Sequence, residues 1–278
     1  MNISEDLKEK LEKLERIIRG YGRLAVAFSG GVDSSLLLCI ASNVLRENVI
    51  ALMNKDAGVP ERELAEAKAF CEERGIRLVF SNADPLEIES YRYNKADRCY
   101  HCKRAVFERL IDIAEMYGIN EVAEGSNTDD VGDYRPGMQA VSELGIKSPL
   151  REAGLSKKDI REISKALGLP TYDKPSYACL ASRFAYGEEI TKEKLVMIDR
   201  AEQFLIDLGF REERVRLHGD VARIEVNPSY IEEIASEEIR TKICERFKEI
   251  GFTYVSLDLN GYRTGSMNDA IGKSPGMS

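Results

Sequence analysis

Residues 24–35 read Leu-Ala-Val-Ala-Phe-Ser-Gly-Gly-Val-Asp-Ser-Ser, an order that few folds accommodate. Leu24 to Phe28 reads as a short buried strand, and Ser34 to Arg46 reads as a helix. Between them, Ser29, Gly30, Gly31, Val32, Asp33, Ser34 and Ser35 form a turn. A strand, a glycine turn and a helix in succession aim several backbone N–H groups at the helix N-terminus, where phosphate is stabilised. Gly30 and Gly31 let the backbone bend tightly and approach an anion with no Cβ in the way. Ser29, Ser34 and Ser35 add hydroxyl donors, and Asp33 is placed either to cap the helix or to hold Mg2+ against phosphates. The loop lacks the Gly-Lys-Ser/Thr ending of a Walker loop and the G-x-G-x-x-G spacing of dinucleotide folds. The plainer alternative is a turn that only caps a helix.

The alternation that starts here continues. Leu7, Leu11, Leu14 and Ile18 line one face of a helix before the first strand. Strands are expected at Val49 to Met53, Ile76 to Phe80 and Glu121 to Glu124, with helices at Glu61 to Arg74 and Cys99 to Tyr117. Strands alternating with helices predict an α/β fold, a parallel sheet flanked by helices on both faces. After about residue 150 the texture changes. Helices are expected at Ser156 to Leu167, Thr191 to Leu208 and Glu237 to Ile250, and strands at Arg214 to Leu217, Ala222 to Val226 and Thr253 to Leu257. The expected division is a nucleotide-binding α/β domain over 1–184, a smaller α+β domain over 185–263 and a mobile Gly/Ser-rich tail over 264–278.

The formal charge of −8 argues against broad nucleic-acid binding, which usually shows a basic field. No run approaches the roughly 18 apolar residues of a membrane span. The start, Met1-Asn2-Ile3-Ser4-Glu5-Asp6, lacks the basic-then-apolar order of a signal peptide, so a cytoplasmic location is expected. Six cysteines in such a chain predict core packing, metal ligation or chemistry rather than a disulfide framework. Cys39, Cys71 and Cys244 sit beside apolar neighbours and read as core.

Cys99 and Cys102 open a helix behind Asp97, with Arg98, Lys103 and Arg104 and the helix dipole favouring thiolate. Their C-x-x-C spacing suits zinc, an iron–sulfur cluster or a redox dithiol. Cys179 lies in Lys174-Pro175-Ser176-Tyr177-Ala178-Cys179-Leu180-Ala181-Ser182-Arg183, a loop rather than an apolar helical face. Lys174 and Arg183 are cations that lower a thiol pKa, so this cysteine reads as nucleophile or third cluster ligand. Arg214 and Arg216 alternate on one strand and share a face, where two guanidinium groups can clasp phosphate. The bland readings are a buried loop cysteine and a pair of surface arginines.

The glycine loop resembles the PP-loop of the ATP pyrophosphatase superfamily, whose members split ATP to AMP and pyrophosphate and activate a carbonyl or carboxylate oxygen as an adenylate. That resemblance implies that the backbone at Met53 meets adenine. The turn after the fourth strand, with Gly125 and Asn127, lines the nucleotide if ligands bind beyond the strands' carboxyl ends. The loop, the Cys179 segment and Arg214-Val215-Arg216-Leu217-His218-Gly219 with Ala222-Arg223-Ile224-Glu225-Val226 together resemble the LarE family, ATP-dependent sulfur transferases of nickel-pincer nucleotide cofactor synthesis. The resemblance implies adenylation of a carboxylate of pyridinium-3,5-biscarboxylic acid mononucleotide, loss of pyrophosphate, and sulfur displacing AMP to give a thiocarboxylate. It assigns Arg183, Arg214 and Arg216 to the substrate phosphate and Glu202 to an acidic active-site position. In one form of the family, a single cysteine gives up its own sulfur and becomes dehydroalanine. In another, three cysteines hold a [4Fe-4S] cluster bearing an extra sulfide, and Cys99, Cys102 and Cys179 match that form. The implied partners are a small nucleotide and sulfide or another sulfur donor, with a homo-oligomer compatible with the family. The rivals are a tRNA thiolase of the same superfamily, an ammonia-using synthetase and a non-catalytic nucleotide or metal sensor.

Overall fold

The computed structural model describes residues 3–130, 136–175 and 178–263. The chain divides into two compact units, Met1–Pro85 with Cys99–Tyr177, and Leu86–Arg98 with Ala178–Ser278. The expected seam at 184/185 is therefore met by a chain that changes unit after Pro85, Arg98 and Tyr177. The tail from Thr264 lies outside the described residues.

In the first unit, α1 (Glu5–Tyr21), α2 (Val32–Leu45), α3 (Glu61–Glu73), α5 (Arg98–Met116), α6 (Pro136–Glu143), α7 (Pro149–Glu152) and α8 (Lys157–Ala166) surround a four-stranded sheet. Its strands β1 (Leu24–Ala27), β2 (Val49–Asn54), β3 (Arg77–Ser81) and β4 (Val122–Ala123) are parallel, in the order β3-β2-β1-β4. Every residue of β2 is buried, as expected of a strand covered on both faces. Val49, Ala51 and Met53 join one core with α1, α2 and α8, whereas Ile50 and Leu52 join Phe107, Leu110 and Ile113 of α5 on the other face. This is the sheet, helix-covered on both faces, that the alternating sequence predicts.

The strand order places the site. β1 is flanked by β2 on one side and β4 on the other, so the chain runs outward in opposite directions from it. Ligands in open α/β sheets bind at such a reversal, beyond the carboxyl ends of the strands. β4 is shorter than the expected four residues. After Ala123 the chain leaves the ladder because the Glu124 carboxylate takes Ser126 N–H at 3.0 Å, Ser126 Oγ at 2.7 Å and Ser148 Oγ at 2.7 Å.

The second unit holds α4 (Glu89–Arg92), α9 (Lys192–Asp207), α10 (Ile231–Ala235) and α11 (Glu237–Ile250) with β5 (Arg214–His218), β6 (Val221–Glu225) and β7 (Tyr254–Leu257). The sheet order is β5-β6-β7, antiparallel then parallel. Residues 86–98 belong here because Asn94 Nδ2 donates to the carbonyls of Phe184 and Ala185 at 3.1 and 2.6 Å, and Ile190 N–H donates to Arg92 O at 2.7 Å. Cys71 is core, as expected, but Cys39 is half-buried and Cys244 is exposed. The buried stripe of α11 is narrow, with Ile243 and Phe247 inward, and it turns Cys244 to the surface.

Candidate functional site

In the first unit, the turn between β1 and α2 is held by its own serines. Ser29 N–H donates to Ser34 Oγ at 3.2 Å, the two hydroxyls lie 3.1 Å apart, and Ser34 Oγ donates to Gly31 O at 3.2 Å. Gly30 takes φ +72°, a left-handed conformation that favours glycine. Gly31 caps α2 with no side-chain bond, which leaves the first helical N–H groups to another acceptor. Two buried polar atoms of this turn, Asp33 Oδ1 and Ser35 Oγ, have no hydrogen-bond partner among the described residues. Groups of this kind ordinarily have partners, so both are suited to a bound ligand.

The other carboxylate oxygen of Asp33 meets Lys157 Nζ at 2.5 Å. Burial pushes the Asp33 carboxyl above its ordinary range, while Lys157 pulls it down in part. Asp33 is thus no N-cap; it is a partly paired oxygen donor on the first turn. Lys157 is steered in turn, because its backbone N–H donates to Asp129 Oδ2 at 2.9 Å. Asp129 belongs to the turn after β4, where its N–H donates to Asn127 Oδ1 at 2.9 Å.

Gly125 of that turn lies against α2. A Cβ there would stand 2.9 Å from Ser34 N and 3.1 Å from Asp33 Cβ, inside the hard contact distance of backbone that cannot swing away. Gly125→Ala is therefore expected to push the helix start aside, costing about 1–3 kcal/mol by overpacking, and to weaken ATP binding about tenfold. Gly20→Ala, with nothing within 4 Å, is the control and should leave ATP affinity unchanged. Calorimetric titration of ATP checks both. Met53 is buried within β2.

The sequence casts Lys174 as a cation that favours a thiolate. Instead, Lys174 Nζ meets Glu63 at 2.7 Å, Glu66 at 2.6 Å and the carbonyl of Gly30 at 3.2 Å. It thereby ties the entry to the Cys179 segment to the glycine loop. Lys157 and Glu63 are residues the sequence reading missed, and Lys174 is one it gave another partner. Each pairs with a residue more than 100 positions away, as Lys174 does with Glu63 at a separation of 111, and no local pattern signals it.

In the second unit, Cys179 is exposed and caps a short 3-10 turn, Leu180–Arg183. Tyr91 Oη lies 3.7 Å from Cys179 Sγ. Arg183 and Glu202 are both 0 % exposed and form a two-pronged pair, with Nε to Oε1 and Nη2 to Oε2 each at 2.9 Å. The third nitrogen of Arg183 donates to Ala178 O at 2.6 Å, Cys179 O at 3.2 Å and Ser182 Oγ at 3.0 Å. Glu202 also accepts Val215 N–H at 2.9 Å, so one ion pair joins the cysteine turn, α9 and β5. Burial pushes the Glu202 carboxyl up, but Arg183, Arg214 and the bound N–H outweigh it and hold it below the usual range.

Arg214 and Arg216 are buried, not surface residues. Arg216 meets Glu225 Oε2 through Nε at 3.0 Å and Nη2 at 2.8 Å, and it donates to Ser182 O at 3.1 Å. Arg214 donates to Glu213 O at 2.6 Å and lies 4.8 Å from the Tyr262 ring centre. Burial and the adjacent Arg183 charge pull the Arg214 pKa down, so an anion beside it would relieve a cation held at a cost. His218 ends β5 and accepts from Arg223 Nε at 3.1 Å, and His101 packs edge-on against Tyr100.

Cys99 and Cys102 stand on the first turn of α5, exposed and half-buried. They belong to the first unit and Cys179 to the second. Among the described residues, no three His, Cys, Asp or Glu side chains converge on a point suited to a metal ion. No described helix is long and apolar enough to cross a membrane.

Residues 4–105 match the NAD synthase family, a match that ends before Cys179 and the Arg214–Arg216 strand. An uncharacterised protein of Synechocystis sp. is 40% identical over 96% of this chain and 100% of its own length. The pyridinium-3,5-bisthiocarboxylic acid mononucleotide synthase of Lactiplantibacillus plantarum is 36% identical over 96% of this chain and 97% of its own. An uncharacterised protein of Methanocaldococcus jannaschii is 31% identical over 95% and 97%.

Proposed function

We propose, from the premise that the chain belongs to the LarE family together with the Lactiplantibacillus plantarum synthase, that it converts a pyridinium biscarboxylate mononucleotide to its thiocarboxylate at the expense of ATP. One observation carries the sulfur step. Cys179 is an exposed thiol on a turn whose carbonyls are gripped by a fully buried Arg183–Glu202 pair. A cysteine that served only packing would have no need of such a frame.

The activation step follows from the glycine loop. Backbone N–H groups at the start of α2, with Ser29, Ser34 and Ser35, bind the β- and γ-phosphates. Met53 offers backbone to adenine, and Gly125 and Asn127 shape the wall beside Ser34. Mg2+ fits the oxygen donors present, with Asp33 Oδ1 as the unpartnered ligand; bound there, it would neutralise charge on the departing pyrophosphate. A substrate carboxylate oxygen attacks the α-phosphorus, and pyrophosphate leaves with the bonding electron pair. Sulfur then attacks the acyl carbon and expels AMP: the Cys179 thiolate in the sacrificial form, and in the cluster form the sulfide that a bound cluster would supply. Arg214 and Arg216 hold the substrate's phosphate, a reading supported by the burial and depressed pKa of Arg214. Arg183 and Glu202 position the cysteine turn, since their bonds go to that turn and to β5.

The sulfur source has two forms. The sulfurs of Cys99, Cys102 and Cys179 fit a [4Fe-4S] cluster in donor chemistry, and such a cluster would supply a terminal sulfide for repeated transfer. Without it, the thioester at Cys179 undergoes β-elimination, leaving dehydroalanine on the chain and the sulfur on the product. Anaerobic purification with iron and acid-labile sulfide analysis separates these forms. The expected result is about four irons per chain, lost in both Cys99→Ala and Cys102→Ala. Unchanged iron in both variants would refute the cluster and leave the sacrificial route. Thiolated nucleoside recovered from copurified RNA would overturn the small-molecule substrate in favour of a tRNA.

A further inference from the structure

At the end of the first unit's sheet where the strands begin lies a concavity of about 590 Å3, lined by Arg23, Cys39, Arg46, Arg74, Arg77 and Tyr117. It opens where β2 and β3 begin, and β2 alone is about 20 Å long, so the glycine loop stands at the far end of the strands. Its volume is within the usual range of small-molecule pockets, about 300–1,000 Å3.

The charge is unusual for this chain. Against a net charge of −8, four arginines line one cleft; Glu47 is the carboxylate among its lining residues, and Glu73 pairs with Arg74 at 3.3 Å. Two of the four are fixed in place. Arg23 donates to Gly118 O and Tyr117 O, both at 2.9 Å, and Arg74 lies 4.0 Å above the Phe70 ring. Arg46 and Arg77 form no ion pair among the described residues, and Arg77 lies 5.7 Å from the Tyr117 ring centre. Arg46 itself has φ +57°, a backbone conformation that side-chain-bearing residues rarely adopt. Guanidinium groups suit phosphate by planar, paired donation. The aliphatic floor at the strand starts and the Tyr117 ring suit a flat organic body, which inorganic phosphate lacks.

We propose that this cleft binds a phosphate-bearing small molecule of nucleotide size, at a site separate from the glycine loop. Cys39 supplies a local reporter, since it is a half-buried thiol in the cleft wall. Burial pushes that thiol up, so alkylation is followed at alkaline pH, with peptide mass mapping to isolate Cys39. The full chain is labelled with AMP, adenosine or inorganic phosphate present, in about 0.15 M chloride to screen diffuse attraction. AMP at about four times its Kd should slow labelling about fivefold, adenosine should not slow it, and phosphate should act more weakly. In the Arg46→Glu/Arg77→Glu variant, AMP should leave the labelling rate unchanged while ATP-dependent pyrophosphate release persists, which shows the fold intact.

Protection by AMP that survives in this variant would come from the glycine loop and would overturn the proposal. So would protection by phosphate equal to that by AMP, which marks an unselective anion patch. No protection by AMP, or labelling that slows with protein concentration alone, would overturn it as well.

Discussion

Cys179→Ala is expected to abolish sulfur transfer while leaving pyrophosphate release intact. Removing the attacking group of a covalent step costs about 10³-fold or more in rate. In the proposed mechanism the activation step has no need of the thiol, because phosphate binding is assigned to Ser29 to Ser35 and Asp33, which lie in the other unit. The variant should therefore accumulate the adenylate and exchange labelled pyrophosphate into ATP. Mass analysis of the wild-type chain after turnover adds a second readout. Loss of the elements of hydrogen sulfide from the Cys179 peptide marks the sacrificial route, whereas several sulfurs transferred per unmodified chain mark the cluster route. Full sulfur transfer by Cys179→Ala would sink the mechanism in both forms.

The two halves of this mechanism differ in how far the sequence reveals them. The β1–α2 turn is legible because its chemistry is local: strand, glycines, hydroxyls and helix follow within a dozen residues, and the structure places them in that order. The two-faced sheet is legible from apolar runs such as Val49 to Met53. The support around the site is not local. Lys157 reaches Asp33 across 124 residues, and Lys174 reaches Glu63 across 111. In sequence Lys157 is one more lysine on a charged helix, and Lys174 reads as a neighbour of Cys179 rather than a partner of Glu63. Glu202 shows the same limit from the other side. On α9 it stands among charged neighbours and reads equally as a solvated residue, but it is wholly buried because Arg183 and Val215 N–H occupy its oxygens. Cys244 fails in reverse: an apolar neighbourhood suggests core, and a one-position offset on α11 places it outside.

Glu202→Ala should cause the largest loss of stability of any substitution in the second unit's site. It leaves the Arg183 guanidinium buried without its carboxylate, and breaking one side of a buried pair costs about 3–5 kcal/mol. A domain's whole stability is about 5–15 kcal/mol, so denaturant midpoints should fall steeply. The sign of the pH dependence follows from the direction of the Glu202 shift. A carboxyl held below its ordinary value, about 4.3, contributes stability above that pH and loses it as pH falls through the lower folded-state value. Glu202→Gln should flatten that acid limb. The decisive variant is Arg183→Met/Glu202→Leu, which replaces the pair by apolar groups and should regain most of the lost stability. It should not regain sulfur transfer, because the carbonyls of Ala178 and Cys179 have lost the donor that fixed the cysteine turn. Recovery of both stability and activity would show that the pair serves the fold alone. Recovery of stability without activity, with alkylation of Cys179 altered in rate, would show that one buried ion pair holds the fold and aims the thiol.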